Sequence, residues 1–296
     1  MATTDLEFEQ LGLIGCGLMG GSFALALKKA GLVKRVVGYS KSPATTERAR
    51  QMGVIDIEAP SAVSAASGSD LVLLAVPVSA TEDILSAIRP LITRDTLVMD
   101  VGSTKRDVVV AAGRALKDQI GAFVPAHPIA GKELAGVEHA DAQLYADRQV
   151  ILTPIEHTFS AQLEKAQHIW TAMGSHVQLM SPEAHDAAYA AVSHLPHMIA
   201  FAFMNALHHQ PHAQEFLSLA GPGFRDFTRI AASDSAVWRD ILTSNREELL
   251  LQSSYFKRAL DVLEAAISRR DPDALKALID TASSARADWR MTTPKS

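Results

Sequence analysis

An apolar run, Leu11-Gly12-Leu13-Ile14, leads directly into Gly15-Cys16-Gly17-Leu18-Met19-Gly20, and a second apolar stretch follows through Leu27. A strand that ends in G-x-G-x-x-G and opens a helix leaves few folding options. The glycines permit a tight turn, the approach of a pyrophosphate to the backbone, and close packing of helix on strand, while helix amides face the phosphates. A glycine triplet alone also serves ordinary turns. The strand before this one and the helix after it supply the context of the dinucleotide fingerprint, which marks Gly15, Gly17, Leu18, Met19 and Gly20 as candidate cofactor-binding residues.

The rest of the first half has the same rhythm. Residues 11–15, 36–39, 71–76 and 97–101 are short branched-apolar runs, each followed by Ala, Glu, Lys and Arg at helical spacing. Continuous apolar strands alternating with helices imply βαβ units and a parallel sheet covered on both faces. Residues 122–125 and 149–153 are expected to extend that sheet. Ser42-Pro43 predicts a helix start. The second half changes character: Ser181-Pro182 opens an alanine-rich helical stretch to about residue 207, Ser233 precedes Val237, Trp238 and Ile241, and Ser244-Asn245-Arg246-Glu247 has capping-box spacing. Behind that box Leu249, Phe256, Leu260, Leu263 and Ile267 form one apolar stripe, and Asp271-Pro272 starts a last helix. The expected architecture is a Rossmann-like doubly wound α/β domain over residues 1–155 and an all-α domain over 156–296, with the boundary at Thr153-Pro154 or nearer 180.

A length of 296 residues suits two domains. The net charge of -5 argues against nucleic acid or an anionic membrane as the main partner, though an anionic metabolite needs only local cations. One cysteine, Cys16, excludes an intramolecular disulfide and fits a reducing compartment. Asp5, Glu7 and Glu9 are wrong for a secretory leader, and the longest clean apolar run, 71–78, is far short of the about 20 residues a membrane helix needs. A cytoplasmic protein with a small-molecule substrate is expected.

Cofactor choice is read at the end of the second strand, where NAD sites place an acid for the ribose 2′-hydroxyl. Here stand Ser40, Lys41 and Ser42. Two hydroxyls and a cation suit a 2′-phosphate, so NADP is favoured over NAD; Ser42 also serves as a helix cap. Val76 and Pro77 end the strand expected beside the nicotinamide half, and Gly102-Ser103-Thr104-Lys105 ends the next.

His127-Pro128-Ile129-Ala130-Gly131-Lys132-Glu133 follows the apolar pair Phe123-Val124, so His127 is expected beyond a strand end, where ligands bind in open α/β sheets. An imidazole there can take a hydroxyl proton as hydride leaves the same carbon; a structural histidine is the other reading. In Ser193-His194-Leu195-Pro196-His197 the two histidines share a helix face, but no H-E-x-x-H or carboxylate spacing accompanies them, and no metal is expected. Arg225 and Arg229, one helical turn apart after Gly221-Pro222-Gly223, suit bidentate carboxylate recognition or a salt-bridged surface.

In this order, Gly-Cys-Gly-Leu-Met-Gly-Gly-Ser at 15–22, His-Pro-Ile-Ala-Gly at 127–131, Ser-His-Leu-Pro-His at 193–197, Phe-Arg-Asp-Phe-Thr-Arg-Ile-Ala at 224–231 and Trp238-Arg239-Asp240 resemble the prephenate/arogenate (cyclohexadienyl) dehydrogenases of tyrosine biosynthesis. The resemblance runs from about residue 10 to about 263. It implies a helical domain that forms a homodimer, His127 as the hydrogen-bond partner of the substrate's ring hydroxyl, and Ser103 in contact with that hydroxyl or with His127. It further implies that His197 and Arg229 hold the ring-carboxylate end or the side chain of the substrate, that Ser193, Asp226 and Trp238 shape the wall, and that Glu133 gates or polarises the pocket.

Three departures stand out. Ser40 replaces the acid of NAD-using members, Lys132 replaces a small residue, and no chorismate mutase or regulatory domain is appended, so tyrosine feedback would act at the active site. Lys132 favours the keto acid and Glu133 the amine, leaving prephenate and arogenate open. The rival readings are a β-hydroxyacid dehydrogenase, whose helical-domain lysine only Lys257 could supply and without the usual glycine-rich context, and a non-catalytic dinucleotide sensor.

Overall fold

The computed structural model describes residues 8–131 and 134–290. Two compact units are present, Met1–Asn245 and Arg246–Ser296.

The first unit begins β1 (Phe8–Ile14), α1 (Leu18–Lys29), β2 (Val33–Tyr39), α2 (Pro43–Gln51), β3 (Ile57–Glu58), α3 (Ala62–Ala66), β4 (Leu71–Leu74), α4 (Thr81–Ile88), β5 (Leu97–Asp100), α5 (Arg106–Leu116) and β6 (Phe123–Val124). These strands form a six-stranded sheet of order β3-β2-β1-β4-β5-β6, parallel throughout. Leu13 faces Gly38 on one side and Leu73 on the other, so β1 lies at the point where the strand order reverses. In such sheets the crevice at this switch point holds the ligand. Every residue of β4 and β5 is buried, as a sheet covered on both faces requires. One apolar cluster unites Leu11, Leu13, Phe23 and Leu27 with Ile169 and Trp170; the other unites Val72, Leu74, Leu85, Val108 and Leu116.

Next come β7 (Ala126–Pro128), β8 (Gln149–Leu152), α6 (Ser160–Ala172) and β9 (His176–Leu179). They correct the sequence reading at one point. Residues 149–153 do not extend the main sheet: β7, β8 and β9 make a separate three-stranded sheet, with β7 antiparallel and β9 parallel to β8. An apolar run marks a strand but not its neighbour, because either sheet buries it equally well. α6 packs back on the main sheet, where Phe23 meets Trp170 edge to face with ring centroids 5.1 Å apart. A boundary near residue 155 therefore passes between β8 and the α6–β9 segment that completes its sheet.

The helical run then starts at α7 (Pro182–Tyr189), where the Ser181 side chain accepts from the Ala184 amide, so this cap forms as its sequence implies. A wider π turn, Ala190–His194, joins it to α8 (Leu195–His208), followed by α9 (Ala213–Ser218), α10 (Pro222–Thr228) and α11 (Ser235–Ser244). α11 is capped by Asp234 rather than by Ser233. Pro182–His208 is long and apolar enough to cross a membrane by length and composition, a property that the short uninterrupted apolar runs of the sequence did not reveal. Its His185, Asp186 and His194 are buried and hydrogen-bonded inside the first unit, whereas within Leu195–His208 only Ala200 is buried on this chain.

In the second unit α12 (Arg246–Ser268) packs on α13 (Pro272–Asp288). Of the expected stripe, Leu249 is buried, whereas Phe256, Leu260 and Ile267 are exposed on this single chain.

Candidate active site

The glycine turn is built for close approach. Gly15 has φ +101°, and a Cβ there would lie 2.1 Å from the Ala75 carbonyl oxygen. At Gly20 a Cβ would lie 2.0 Å from the Gly15 oxygen, so α1 could not seat against its strand. Gly17, by contrast, has open space where its side chain would be. Gly17 also caps α1 without a side-chain acceptor, and no acid stands in the first turn, so the leading amides of Leu18 and Met19 are offered to an anion. These residues fit a dinucleotide pyrophosphate. Ser40 closes the turn from β2: its hydroxyl accepts from the Cys16 amide at 2.8 Å, while its own amide donates to Thr46 Oγ1. Lys41 and Ser42 are exposed. Ser42 is the N-cap of α2, but its side chain makes no capping bond, leaving that hydroxyl outside the role the Ser-Pro pair implied. Val76 is half-buried beside the turn, 3.3 Å from the position of a Gly15 Cβ, and Pro77 is exposed.

The ends of β5 and β6 carry a buried polar cluster. Lys105 is fully buried, and its Nζ donates to Asp100 Oδ2 at 2.5 Å and to the Ala126 carbonyl at 2.7 Å. Asp100 also accepts from the amides of Gly102 and Ala126. This pair ties the 101–105 loop to β7. Burial lowers the Lys105 pKa, against the opposing pull of Asp100. His127 lies beyond the end of β6, as expected, and there it is part of a further strand, β7, opposite Ile151 of β8.

His127 is almost wholly buried, and its Nδ1 lies 2.8 Å from His185 Nε2. His185 Nδ1 in turn lies 2.7 Å from Asp186 Oδ1. The amides of Lys105 and Arg106 donate to the same carboxylate at 2.8 and 2.9 Å. Tyr189 stacks on the His185 ring at 4.5 Å and meets His127 edge-on at 4.9 Å. Burial first, then the charges of His185, Lys105 and His194, hold the His127 pKa well below the ordinary 6.5. That leaves a neutral imidazole at physiological pH, a proton acceptor. Burial raises the Asp186 pKa, but the hydrogen bonds from His185, Arg106 and Lys105 outweigh it and hold the group low, so it is a carboxylate.

The helical wall gathers several expected residues. Ser193 and His194 lie in the π turn and His197 in the first turn of α8; π turns recur at functional sites. His197 Nδ1 donates to the Ser193 carbonyl at 2.9 Å, so Ser193 contributes through its backbone. The ring of Trp238 stacks on His197 with centroids 3.5 Å apart and planes 19° from parallel. Burial lowers the His197 pKa, and the nearby Arg229 charge lowers it further. Buried His194 accepts from Asn245 Nδ2 at 3.1 Å, and its pKa falls to about 4, chiefly by burial. Arg225 and Asp226 instead pair with each other at 3.0 Å on the exposed surface, so Arg225 joins a neighbouring carboxylate rather than standing free for substrate, and Asp226 is spoken for by it. No hydrogen bond joins Ser103 to His127 among the described residues; the partner of His127 Nδ1 is His185. Lys132 and Glu133 lie outside the described residues.

Five residues of this site were not singled out from the sequence: Asp100, His185, Asp186, Tyr189 and Asn245. The available signal was His185-Asp186, two adjacent polar residues within an alanine-rich, otherwise apolar helix start. Lys105 was placed at the crevice, but nothing local shows that its ammonium is buried.

A doubly wound parallel sheet, a glycine turn shaped for a pyrophosphate and a buried neutral histidine at the strand ends define a dinucleotide-dependent oxidoreductase architecture. The comparisons with known proteins narrow this further. The family described as "Prephenate dehydrogenase, nucleotide-binding domain" matches residues 23–179, and "Prephenate dehydrogenase, dimerization domain" matches 181–281. The chain belongs to the prephenate dehydrogenase family. It is 35% identical over 272 residues to a prephenate dehydrogenase of Bacillus subtilis, covering 91% of this chain and 73% of that one. It is also 35% identical over 270 residues to a cyclohexadienyl dehydrogenase of Zymomonas mobilis, covering 90% and 92%. A crystal structure of the A. aeolicus prephenate dehydrogenase with hydroxyphenyl propionate and NAD+ superposes with a TM-score of 0.89 at 34% identity, covering 96% and 99%.

Proposed function

We propose that this protein catalyses the oxidative decarboxylation of prephenate, arogenate or both, in tyrosine formation. The observation that carries this reading is His127: a buried, neutral imidazole at the carboxyl ends of β5 and β6, with Nδ1 occupied and Nε2 without a hydrogen-bond partner among the described residues. A bound nicotinamide dinucleotide supplies the acceptor for the hydride that leaves C4 of the substrate ring. His127 Nε2 accepts the hydrogen bond, and then the proton, of the C4 hydroxyl as the C4–H bond breaks. The resulting dienone loses its ring carboxylate as carbon dioxide; the electron pair of the broken C–C bond enters the ring, which becomes aromatic, and the C4 oxygen takes the proton back from His127. The chain's tasks are orientation and charge placement. Steady-state assay with prephenate and with arogenate, each with NADP and with NAD, is expected to show turnover in at least one combination. A folded, dinucleotide-binding protein inactive in all four would overturn the proposal.

Arg229, on the same wall as His197 and Trp238, is the proposed carboxylate holder. Hydrogen bonds to charged groups contribute about 1.5–3 kcal/mol, so Arg229→Ala is expected to raise the substrate KM about 10- to 100-fold with a smaller effect on kcat. An unchanged KM removes Arg229 from that role. Ser103 is proposed to reach the substrate hydroxyl from the 101–105 loop. The cofactor inference favours NADP: β2 ends in Ser40 without an acid, and the Lys41 cation is exposed beside it. Lys41→Ala is therefore expected to raise the KM for NADP about tenfold and leave that for NAD within twofold; a wild-type preference for NAD, the dinucleotide in the A. aeolicus complex, would reverse this inference. The exposed Leu250, Leu251, Tyr255, Phe256, Leu260 and Val262 on α12 support a homodimer through the helical region. The free, buried thiol of Cys16 supports a reducing compartment, the cytoplasm.

A further inference from the structure

We propose that Asp186 and His185 are positioning residues that hold His127 in the one neutral tautomer able to accept a proton at Nε2. This rests on the role given to His127 above. The argument counts hydrogens. Asp186 Oδ1 faces the Lys105 amide and His185 Nδ1, and Oδ2 faces the Arg106 amide. Backbone amides can only donate, so this end of the chain must accept, and an anionic carboxylate meets all three donors. His185 Nδ1 therefore carries a hydrogen, and a neutral His185 has a bare Nε2. The 2.8 Å gap to His127 Nδ1 holds one hydrogen, which belongs to His127. That leaves His127 Nε2 with its lone pair.

The surroundings keep both rings uncharged. Burial, and after it the charge of Lys105, opposes a positive charge on either imidazole, outweighing the pull of Asp186 and Asp100 on His185; His185 and His194 add to this at His127. Tyr189, stacked on His185 and edge-on to His127, fixes the ring planes. A purely structural chain would pin α7 to β7 equally well in either direction, with every hydrogen reversed between the two histidines. The direction is what Asp186 sets.

The test reads the hydrogens. In the dinucleotide-loaded protein with 15N-labelled histidine, long-range proton–nitrogen correlation spectra distinguish Nδ1–H from Nε2–H rings, and His127→Asn identifies the His127 signals. His127 and His185 are both expected as Nδ1–H. In Asp186→Asn the chain reverses when the amide oxygen accepts from Arg106 and the NH2 group donates to His185 Nδ1, which turns His127 Nε2 into a donor; the opposite amide orientation leaves the chain as it is. In serine hydrolases the corresponding Asp→Asn change lowers kcat about 10⁴-fold through the wrong tautomer. Here Asp186→Asn is expected to lower kcat about 10²- to 10⁴-fold, with KM within threefold and the His127 signal moved to Nε2–H. A wild-type His127 found as Nε2–H would overturn the inference, as would an Asp186→Asn protein whose His127 moves to Nε2–H with kcat within threefold. The wild-type spectrum decides the matter if that variant does not fold. It also needs no substrate turnover, so an inactive wild-type protein would count against the proposed reaction and leave the tautomer result standing.

Discussion

His127→Asn is expected to lower kcat by about 10³-fold while the dissociation constant for the dinucleotide stays within about twofold, since positioned proton acceptors contribute about 10²- to 10⁴-fold. The two effects separate because His127 sits on β7 of the smaller sheet, whereas the pyrophosphate cradle is the β1–α1 turn. The pH profile supplies the sign. His127 must be neutral to accept, and its pKa is held well below 6.5 by burial and then by His185, Lys105 and His194. The wild-type protein should therefore show no His127-linked loss of kcat/KM as pH falls through 6.5; that acid limb begins only further down. In His127→Asn the limb should vanish from the residual activity. A variant with near-wild-type kcat removes His127 from the chemistry.

Lys105→Met is expected to destabilise the first unit by about 3–5 kcal/mol, the usual result of removing one partner of a buried ion pair. The carboxylate left behind is the reason: Asp100 is 3% exposed, and without the ammonium it keeps only its amide donors. Urea or thermal denaturation followed through Trp170, which is fully buried in the same unit, reads the loss. Adding Asp100→Asn should recover part of it, because a neutral amide no longer needs the cation. A loss below about 1 kcal/mol would show that water or a local shift replaces the ammonium. The same variant should impair turnover beyond its stability cost, since the pair fastens the 101–105 loop to the strand that carries His127.

Much of the site was legible where the signal was local. The glycine turn, the strands at residues 11–14, 36–39, 71–74 and 97–100 and the Ser181-Pro182 helix start each follow from neighbours within a few positions. His127, His197, Arg229 and Trp238 were reachable because they sit in short, distinctive segments. The failures share a cause. Residues 149–153 read as a strand of the main sheet, yet pair with β7 and β9, since burial pattern carries no label for the partner. Arg225 and Arg229 share a helix face by spacing, which left carboxylate recognition and a salt-bridged surface both open; Asp226 engages Arg225 at the surface, and helical periodicity alone does not say which side chain a neighbour captures.

The sequence by itself determined the doubly wound architecture, and it singled out the turn proposed for the dinucleotide and the histidine proposed to begin the chemistry. Each rests on interactions within one strand, turn or helix start. Only the tertiary structure decided the state of that histidine. His185 lies 58 residues beyond His127 along the chain, and Asp186 reaches back 81 residues to the Lys105 amide. Whether His127 is charged, and which nitrogen carries its hydrogen, depends on dielectric, nearby charge and hydrogen-bond direction. Those quantities exist only once α7, β7 and the end of β5 are packed together.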